Sequence, residues 1–391
     1  MGSSSRGFPA LLTAALLLKA VLLVVLMWTA DHEPTGDPRY LAPREGEAND
    51  VVWVLARGFD ANAYQRLARS GYYDTFSRNY PLGYPLAIRA VDLVVGNAQV
   101  AAVLVSNAMS ILAVGLGFLV ARRYARRRGV APDGAVLLLA AMPGVLTYGT
   151  VAYSESTFIV CSLLGWLAYL RAEDGPAAED GAAPVARDPA APRSLGWLAL
   201  ASLGLAASGY VRHLGAPTML ALGLIEGARV LRGPTPRGRA ITEAAAALWA
   251  GLPLAGYFLW KFSSHDLEGL QEDIWQMRFA FLGGPASLVA RVGVQNLALI
   301  LLSLPLALFL LAKLRAVDGR LALVVLLTLV TALSFTGAAA QSFTRYTWSF
   351  WPLALGALAV KERGVVALYV GVLLLLSVWT GVGHVMGTAA L

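Results

Sequence analysis

Four charged residues, far apart in the chain, are the main candidates for chemistry: Asp60, Glu155, Arg212 and Arg345. A carboxylate can take the proton of an attacking hydroxyl, and a guanidinium offers a fork of N–H donors that fits phosphate oxygens. Charged side chains are costly in hydrocarbon, so in a chain rich in apolar segments they are expected at a polar site. The residue types predict a base beside phosphate-binding arginines at one membrane surface.

Composition sets the protein class. The chain has 391 residues, of which 57% are hydrophobic and 14% charged, whereas soluble domains carry about 25% charged residues. We therefore expect an all-α, multi-pass integral membrane protein. The net charge of +7 does not predict nucleic-acid binding, because the basic residues cluster in particular loops and so form an orientation signal.

Apolar runs predict about eleven transmembrane helices in a single transmembrane domain over residues 1–391, since a spanning helix needs about 20 apolar residues. The pairs within 134–170 and 194–230 are also compatible with re-entrant or tilted segments. The predicted spans are 10–29, 98–121, 134–152, 156–170, 194–211, 214–230, 241–260, 291–312, 321–340, 347–360 and 364–385.

Basic clusters orient these spans. Four of them fall on one side: Arg122–Arg128, Arg229–Arg239, Lys313–Arg320 and Lys361–Arg363. The positive-inside rule makes that side cytoplasmic. The candidate site is then expected on the non-cytoplasmic face. Residues 172–193 are rich in alanine, proline and acids, which is typical of a flexible linker, here cytoplasmic.

Two long loops are expected on the non-cytoplasmic side, 31–97 and 262–290. In the first, Val51–Tyr73 has apolar residues at helical spacing (Val54, Leu55, Phe59, Tyr64, Leu67 and Ala68), with Arg57, Arg66 and Arg69 opposite. This pattern predicts a helix in the membrane interface, and Leu82–Val95 is a second candidate.

Each charged candidate also has a purely structural interpretation. Asp60 is well placed to cap a helix N-terminus, a role compatible with proton acceptance. Glu155 stands at a predicted helix start, where an acid is favourable against the helix dipole. Arg212 is as compatible with a structural ion pair as with phosphate binding, whereas the aromatic flanks of Arg345 favour phosphate.

Further candidates surround these four. His213, next to Arg212, joins the phosphate candidates. Asp31 and Glu33, with His32 between them, are weak candidates for a divalent metal site, although a solvated helix end explains them better; the sequence points to no certain cofactor. Tyr80 and Tyr84 fit an interfacial aromatic belt or, with four others, a sugar- or lipid-binding surface. The others are Tyr153, Ser154, Tyr346 and Trp348.

Four segments resemble the PIG-V-like mannosyltransferases, in order and across most of the chain. They are FDANAYQRLARSGYYDTFSRNYPLGYPLAIR (59–89), MPGVLTYGTVAYSESTF (142–158), LGLAASGYVRHLG (203–215) and QSFTRYTWSFWPLALG (341–356). The YSES step at 153–156 is the most specific. One departure is Phe59, which stands where the family has tryptophan before the acid.

The resemblance implies a GT-C glycosyltransferase that moves a sugar, usually mannose, from a polyprenyl phosphate to a lipid or glycan acceptor. It implies that Asp60 is the acid of the first loop, and that Glu155, Arg212 and Arg345 lie near the donor phosphate. An inverting displacement with Asp60 as base, or Glu155 as second candidate, follows. The alternatives are a transporter or flippase of a lipid-linked or anionic substrate and a non-catalytic subunit of a membrane glycosylation complex.

Overall fold

The computed structural model describes residues 4–32, 50–74, 76–174, 191–262, 294–334 and 343–386. These residues form α-helices, short 3-10 turns and connections, and no strand occurs among them. The helices are α1 (Ser4–His32), α2 (Asp50–Ala56), α3 (Phe59–Ser70), α4 (Gly83–Val95), α5 (Ala98–Arg128), α6 (Asp133–Ala141), α7 (Glu155–Asp174), α8 (Leu195–Val211), α9 (Ala216–Arg232), α10 (Arg237–Leu248), α11 (Gly251–Phe262), α12 (Val294–Val317), α13 (Gly319–Leu333), α14 (Phe343–Thr347), α15 (Pro352–Leu355) and α16 (Arg363–Val385).

Three of the described helices are long and apolar enough to cross a membrane. They comprise Gly7–His32 within α1, all of α5 and all of α16. Large apolar side chains face outward on α1, including Val24 at 67% exposure, which a hydrocarbon surrounding explains better than water. The chain is therefore a membrane protein, and the total of eleven spans stays a prediction.

The predicted helix over 134–152 is wrong beyond Ala141, where α6 ends. Met142 adopts an extended ψ of 135°, as expected for a residue before proline, and Pro143 has no N–H to donate. Residues 142–152 continue as buried turns. The backbone approaches another segment closely there, because a Cβ on Gly144 would lie 2.7 Å from the Trp348 carbonyl oxygen.

Two other predicted spans are also not single helices. The span 347–360 contains the last residue of α14, the short helix α15 and the 3-10 turn Gly356–Ala359, and 241–260 divides between α10 and α11. Pro352 starts α15, consistent with the preference of proline for a first helical turn. These breaks leave turns and short helices between the longer helices. Side chains on these turns can therefore meet one another.

Helices α7 and α8 form the most extensive helix pair. They meet through glycines, since a Cβ on Gly204 would lie 2.7 Å from the Cα of Gly165. Small residues allow membrane helices to approach backbone to backbone. This contact fixes Glu155, at the start of α7, relative to Arg212, just after the end of α8.

The predicted loop 31–97 holds α2, α3 and α4, and the single helix predicted over Val51–Tyr73 is divided between α2 and α3. The helix breaks at Gly58, whose φ is +81°, a conformation that glycine adopts without strain. Tyr64 and Leu67 are buried as the pattern predicts. Arg57 is not on the solvent side: it is 6% exposed, and its guanidinium lies 3.7 Å from the Trp53 ring centroid.

The predicted linker 172–193 is helical at its start, because α7 continues to Asp174. At its end Arg193 is buried, donating to Glu226 Oε2 at 2.5 Å and to Glu243 Oε2 at 2.9 Å. Residues 175–190 between them lie outside the described residues. The same holds for the predicted loop 262–290, apart from Phe262 at the end of α11.

Candidate functional site

Four segments distant in sequence converge on one charged cluster. Asp60 lies in the first turn of α3, Glu155 opens α7, and Arg345 lies in the short helix α14. Arg212 enters from the extended residue that ends α8, with φ −146° and ψ 141°. We call these four residues the ion network.

The ion network is continuous. Arg345 Nη2 lies 2.8 Å from Asp60 Oδ2, and Arg345 Nε donates to Glu155 Oε1. Arg212 Nη1 donates to the same Glu155 oxygen at 2.7 Å and to Ser154 Oγ at 2.9 Å. Two carboxylates face two guanidiniums, so the formal charge of the four side chains sums to zero.

The members of the ion network differ in how exposed their side chains are. The Glu155 side chain is 0% exposed, whereas Asp60 is 24% exposed. Burial alone lowers the pKa of Arg345, but the charges of Glu155 and Asp60 outweigh burial and raise that pKa well above its usual value. Arg345 is therefore a permanent cation, and Asp60 is the acid that solvent or a substrate can reach.

Asp60 is not an N-cap. The residue preceding α3 is Gly58, no side chain caps this end, and Asp60 is already inside the helix. Its carboxylate is directed to Arg345 instead. The capping interpretation is therefore wrong, and the acid is available for a partner outside its own helix.

Aromatic rings enclose the guanidiniums. The Arg345 guanidinium lies 4.7 Å from the Tyr153 ring centroid and 5.3 Å from that of Tyr148. The Arg212 guanidinium lies 5.4 Å from the ring of Tyr346. Rings over guanidiniums stabilise the charge and fix its direction. They leave the N–H edges as the groups that bind anions.

Tyr80 lies beside Asp60 of the ion network. It is 8% exposed, and its hydroxyl donates to Asp60. Burial, and then the charge of Asp60, raises the pKa of Tyr80, so its hydroxyl stays protonated. Tyr84 is also buried, but its hydroxyl donates to the Ala102 carbonyl oxygen at 3.1 Å on α5, away from the ion network.

The structure places the other predicted site residues apart from the ion network. His213 Nε2 lies 2.7 Å from Lys261 Nζ, and burial, followed by the charges of Lys261 and Arg212, lowers the pKa of His213 well below its usual value. Trp348 is fully buried and donates to Ser303 Oγ at 3.2 Å. Both roles stay predictions.

The metal candidates do not form a described site. Asp31 is exposed near the end of α1, and Glu33 lies outside the described residues. Among the residues that the structure describes, no three His, Cys, Asp or Glu side chains are grouped as metal ligands.

Two buried atoms of the ion network have no hydrogen-bond partner within the described part of the chain. They are Glu155 Oε2, an acceptor, and Arg212 Nε, a donor. Buried polar atoms are normally satisfied, so each exception calls for a water, an ion or a ligand. A ligand that carries both a hydroxyl and an anionic oxygen matches this pair.

Three further residues near the site were not predicted as site residues: Tyr64, His384 and Lys19. The Tyr64 hydroxyl lies 3.1 Å from Ser154 Oγ, and the ring of His384 lies 5.4 Å from that of Tyr153. Lys19 donates to Ser110 Oγ at 2.8 Å, to the Gly149 carbonyl oxygen at 2.9 Å and to Thr150 Oγ1 at 3.1 Å. It thereby holds the irregular segment that leads to Glu155.

Comparisons with known proteins add little to this geometry. No family model matches the chain, and no curated protein matches it. Among solved structures, the chain is similar to the archaeal oligosaccharyltransferase AglB from Archaeoglobus fulgidus, solved with an inhibitory peptide and a dolichol-phosphate, with a TM-score of 0.44 and 10% identity. The match covers 96% of this chain and 56% of AglB, so the chain spans about half the length of that protein. A similarity of this size assigns no activity.

Proposed function

We propose that the protein is a membrane glycosyltransferase that moves a sugar, which the family resemblance implies is mannose, from a polyprenyl phosphate to a hydroxyl of a lipid or glycan. The observation that carries the proposal is the 2.8 Å contact between the accessible acid Asp60 and Arg345. A proton acceptor and a phosphate-binding cation are the two groups that this transfer requires.

The reaction we propose is one inverting displacement. The acceptor oxygen attacks the anomeric carbon, its proton passes to Asp60, and the bond from that carbon to the phosphate oxygen breaks. The electron pair leaves with the polyprenyl phosphate, which Arg345 and Arg212 stabilise. The donor phosphate competes with Asp60 for Arg345 Nη2, so donor binding frees the carboxylate when a base is needed.

The two unpartnered atoms support a sugar phosphate as ligand. Arg212 Nε can donate to a phosphate oxygen, and Glu155 Oε2 can accept from a sugar hydroxyl. Glu155 is held by both arginines, so we assign it to orientation of the arginines and the sugar. Tyr80, Tyr153 and Tyr346 are proposed to line the sugar site, which needs no metal in this scheme.

The predicted topology favours a lipid-linked donor, and a small apolar cavity lies beside α7. Its lining includes Phe158, Trp166, Leu205, Val325 and Trp351. Phe158 lies one helical turn after Glu155. Under the predicted topology, the site faces the non-cytoplasmic side, where nucleotide sugars are absent.

The test compares two donors in detergent, so that both reach the site. We expect sugar transfer from polyprenyl-phosphate mannose and none from GDP-mannose. Arg345→Ala should abolish transfer, and Arg345→Lys should restore it only in part because the bidentate fork is lost. Arg69→Ala, at a side chain 57% exposed on α3, is the control. Transfer from GDP-mannose alone would refute the proposal.

A transporter or flippase remains the second candidate function, and one observation favours it. Transporters often place unwound helix segments at the membrane midplane, and residues 142–152 are unwound beside Lys19. In proteoliposomes a transporter would move the lipid-linked sugar without a new glycosidic bond. Product analysis distinguishes the two functions.

A further inference from the structure

Four aromatic side chains that the proposed mechanism does not use form one cluster. They come from the connection after α3, the last turn of α8 and the second half of α11: Tyr72, Tyr210, Tyr257 and Trp260. We call these four residues the aromatic platform. Ring centroids lie 5.0 Å apart for Tyr210 and Tyr257, and 6.1 Å apart for Tyr257 and Trp260. Tyr72 closes the cluster, with its ring centroid 5.8 Å from that of Trp260. Rings at these separations pack directly against one another.

Hydrogen bonds connect the aromatic platform to the ion network. The Tyr72 hydroxyl donates to the Tyr80 carbonyl oxygen at 3.1 Å. A tyrosine has one hydroxyl proton, so the Tyr257 hydroxyl, 3.0 Å from that of Tyr72, is the donor in the second contact. Tyr80 in turn donates its own hydroxyl to Asp60. A single residue, Tyr80, therefore extends from the aromatic platform to the proposed base.

The aromatic platform is open and has polar groups beside it. Trp260 is 51% exposed, and the other three rings are partly exposed. The Arg78 guanidinium lies 5.8 Å from the Trp260 ring centroid, and Asp74, in the same connection between α3 and α4, is exposed. A belt of interfacial aromatics presents separate rings to lipid headgroups. Here rings, bonded hydroxyls and a guanidinium converge instead.

A pyranose ring has the chemistry that matches this arrangement. One face of such a sugar carries C–H groups that pack on an aromatic ring, and its rim carries hydroxyls that need donors and acceptors. Trp260 offers the aromatic face, Arg78 offers N–H donors, and the Tyr72 oxygen can accept. Ligand sites commonly combine aromatic walls with a few polar groups of this kind. An acyl chain would use only the rings.

We propose that the aromatic platform is a subsite for a sugar of the acceptor, so that the acceptor is a glycan or glycolipid and not a lipid alcohol alone. The word acceptor rests on the proposed glycosyl transfer, whereas the binding of a sugar to these rings does not. A sugar stacked on Trp260 would direct a neighbouring hydroxyl along Tyr80 to Asp60. The donor phosphate remains with Arg345 and Arg212, so the two substrates contact different residues.

A photoreactive sugar tests the subsite without requiring turnover. The full chain is purified in lauryldimethylamine oxide, a detergent without a sugar headgroup, and irradiated with octyl mannopyranoside that carries a diazirine on the sugar. We expect label on the peptides that contain Tyr72 and Trp260, and loss of that label in excess unmodified octyl mannopyranoside. Octanol that carries the same diazirine is the comparison for a lipid occupant.

Variants of the exposed ring test its contribution. Trp260→Ala should lower the displaceable labelling about tenfold, and Trp260→Tyr should restore part of it because a ring remains. In transfer from polyprenyl-phosphate mannose, Trp260→Ala should raise the KM for octyl mannopyranoside about tenfold with little change in kcat. The matched control is Trp379→Ala on α16, because Trp379 is 50% exposed; its labelling and KM should equal those of the wild type.

Two results would overturn the inference. Equal labelling by the octanol probe, with no displacement by octyl mannopyranoside, would show that the aromatic platform faces lipid. Labelling and KM unchanged in Trp260→Ala would show that the sugar binds elsewhere. Displaceable labelling in a protein that transfers no sugar would support the subsite and refute only the proposed glycosyl transfer.

Discussion

The two carboxylates bound to Arg345 should give different phenotypes when each is neutralised, because their burial differs. Asp60 is 24% exposed, so water can replace its ion pair, and Asp60→Asn should change the free energy of unfolding by about 1 kcal/mol or less. Turnover should fall about 10²–10⁴-fold, the usual contribution of a general base.

Glu155→Gln should destabilise the protein as well as inactivate it. Glu155 is 0% exposed and holds Arg212 and Arg345, which are 7% and 8% exposed. Removing one partner of a buried ion pair costs about 3–5 kcal/mol. This is a large part of a typical unfolding free energy of about 5–15 kcal/mol, so we expect a lower yield and a lower melting temperature.

The chain offers a matched control for each substitution. Asp92 is the control for Asp60, because it is also a partly exposed acid (19%) that lies beside an arginine, Arg69. Glu243 is 1% exposed and bonded to Arg193 and Arg229, which matches Glu155. Asp92→Asn should leave stability and turnover near wild type. Glu243→Gln should destabilise the protein while each folded molecule keeps its turnover.

Tryptophan fluorescence during heating of purified protein measures stability, and sugar transfer per folded molecule measures turnover. Wild-type turnover in Asp60→Asn would refute the role of Asp60 as base. An equal loss of stability in Asp60→Asn and Glu155→Gln would refute the reasoning from burial.

Two further predictions rest on single contacts, and a third rests on the predicted topology. Tyr80→Phe removes the hydroxyl that donates to Asp60, so kcat should fall about tenfold, equivalent to one hydrogen bond of roughly 1.4 kcal/mol, with stability nearly unchanged; an unchanged kcat would contradict it. Lys19→Met removes three hydrogen bonds and should lower the melting temperature, which an unchanged melting curve would contradict. In the Cys161→Ala background, a cysteine at Ser70 should react with an impermeant thiol reagent in intact cells and one at Val130 should not; the reverse pattern would place Asp60 on the cytoplasmic side.

Local sequence predicted several elements well. The helix predicted over Leu82–Val95 is present as α4, and residues 194–211 form the helix α8 (Leu195–Val211), whereas the predicted crossing of the membrane by this helix stays a prediction. Glu155 begins α7 as expected. The spacing of apolar and charged residues that indicates a helix extends over only a few turns of the chain. These helices can therefore be predicted without knowledge of distant contacts.

The helix breaks were harder to predict. Apolar composition over 134–152 resembles a spanning helix, but the chain leaves the helix at Met142–Pro143. The freed backbone groups find partners elsewhere: the Gly149 carbonyl oxygen accepts from Lys19, and Thr150 O accepts from Asn107. Hydropathy cannot reveal such partners, because they come from helices more than 40 residues away in sequence.

The sequence by itself determined the protein class, the positions of many helices and the charged residue types available for chemistry. Tertiary structure alone decided that Asp60 and Glu155 share Arg345, that Asp60 is the accessible acid, and that His213 faces Lys261 instead. The physical reason is distance along the chain. Arg345 and Asp60 are 285 residues apart, and only the packing of α3, α7 and α14 determines which charges meet and which of them water can reach.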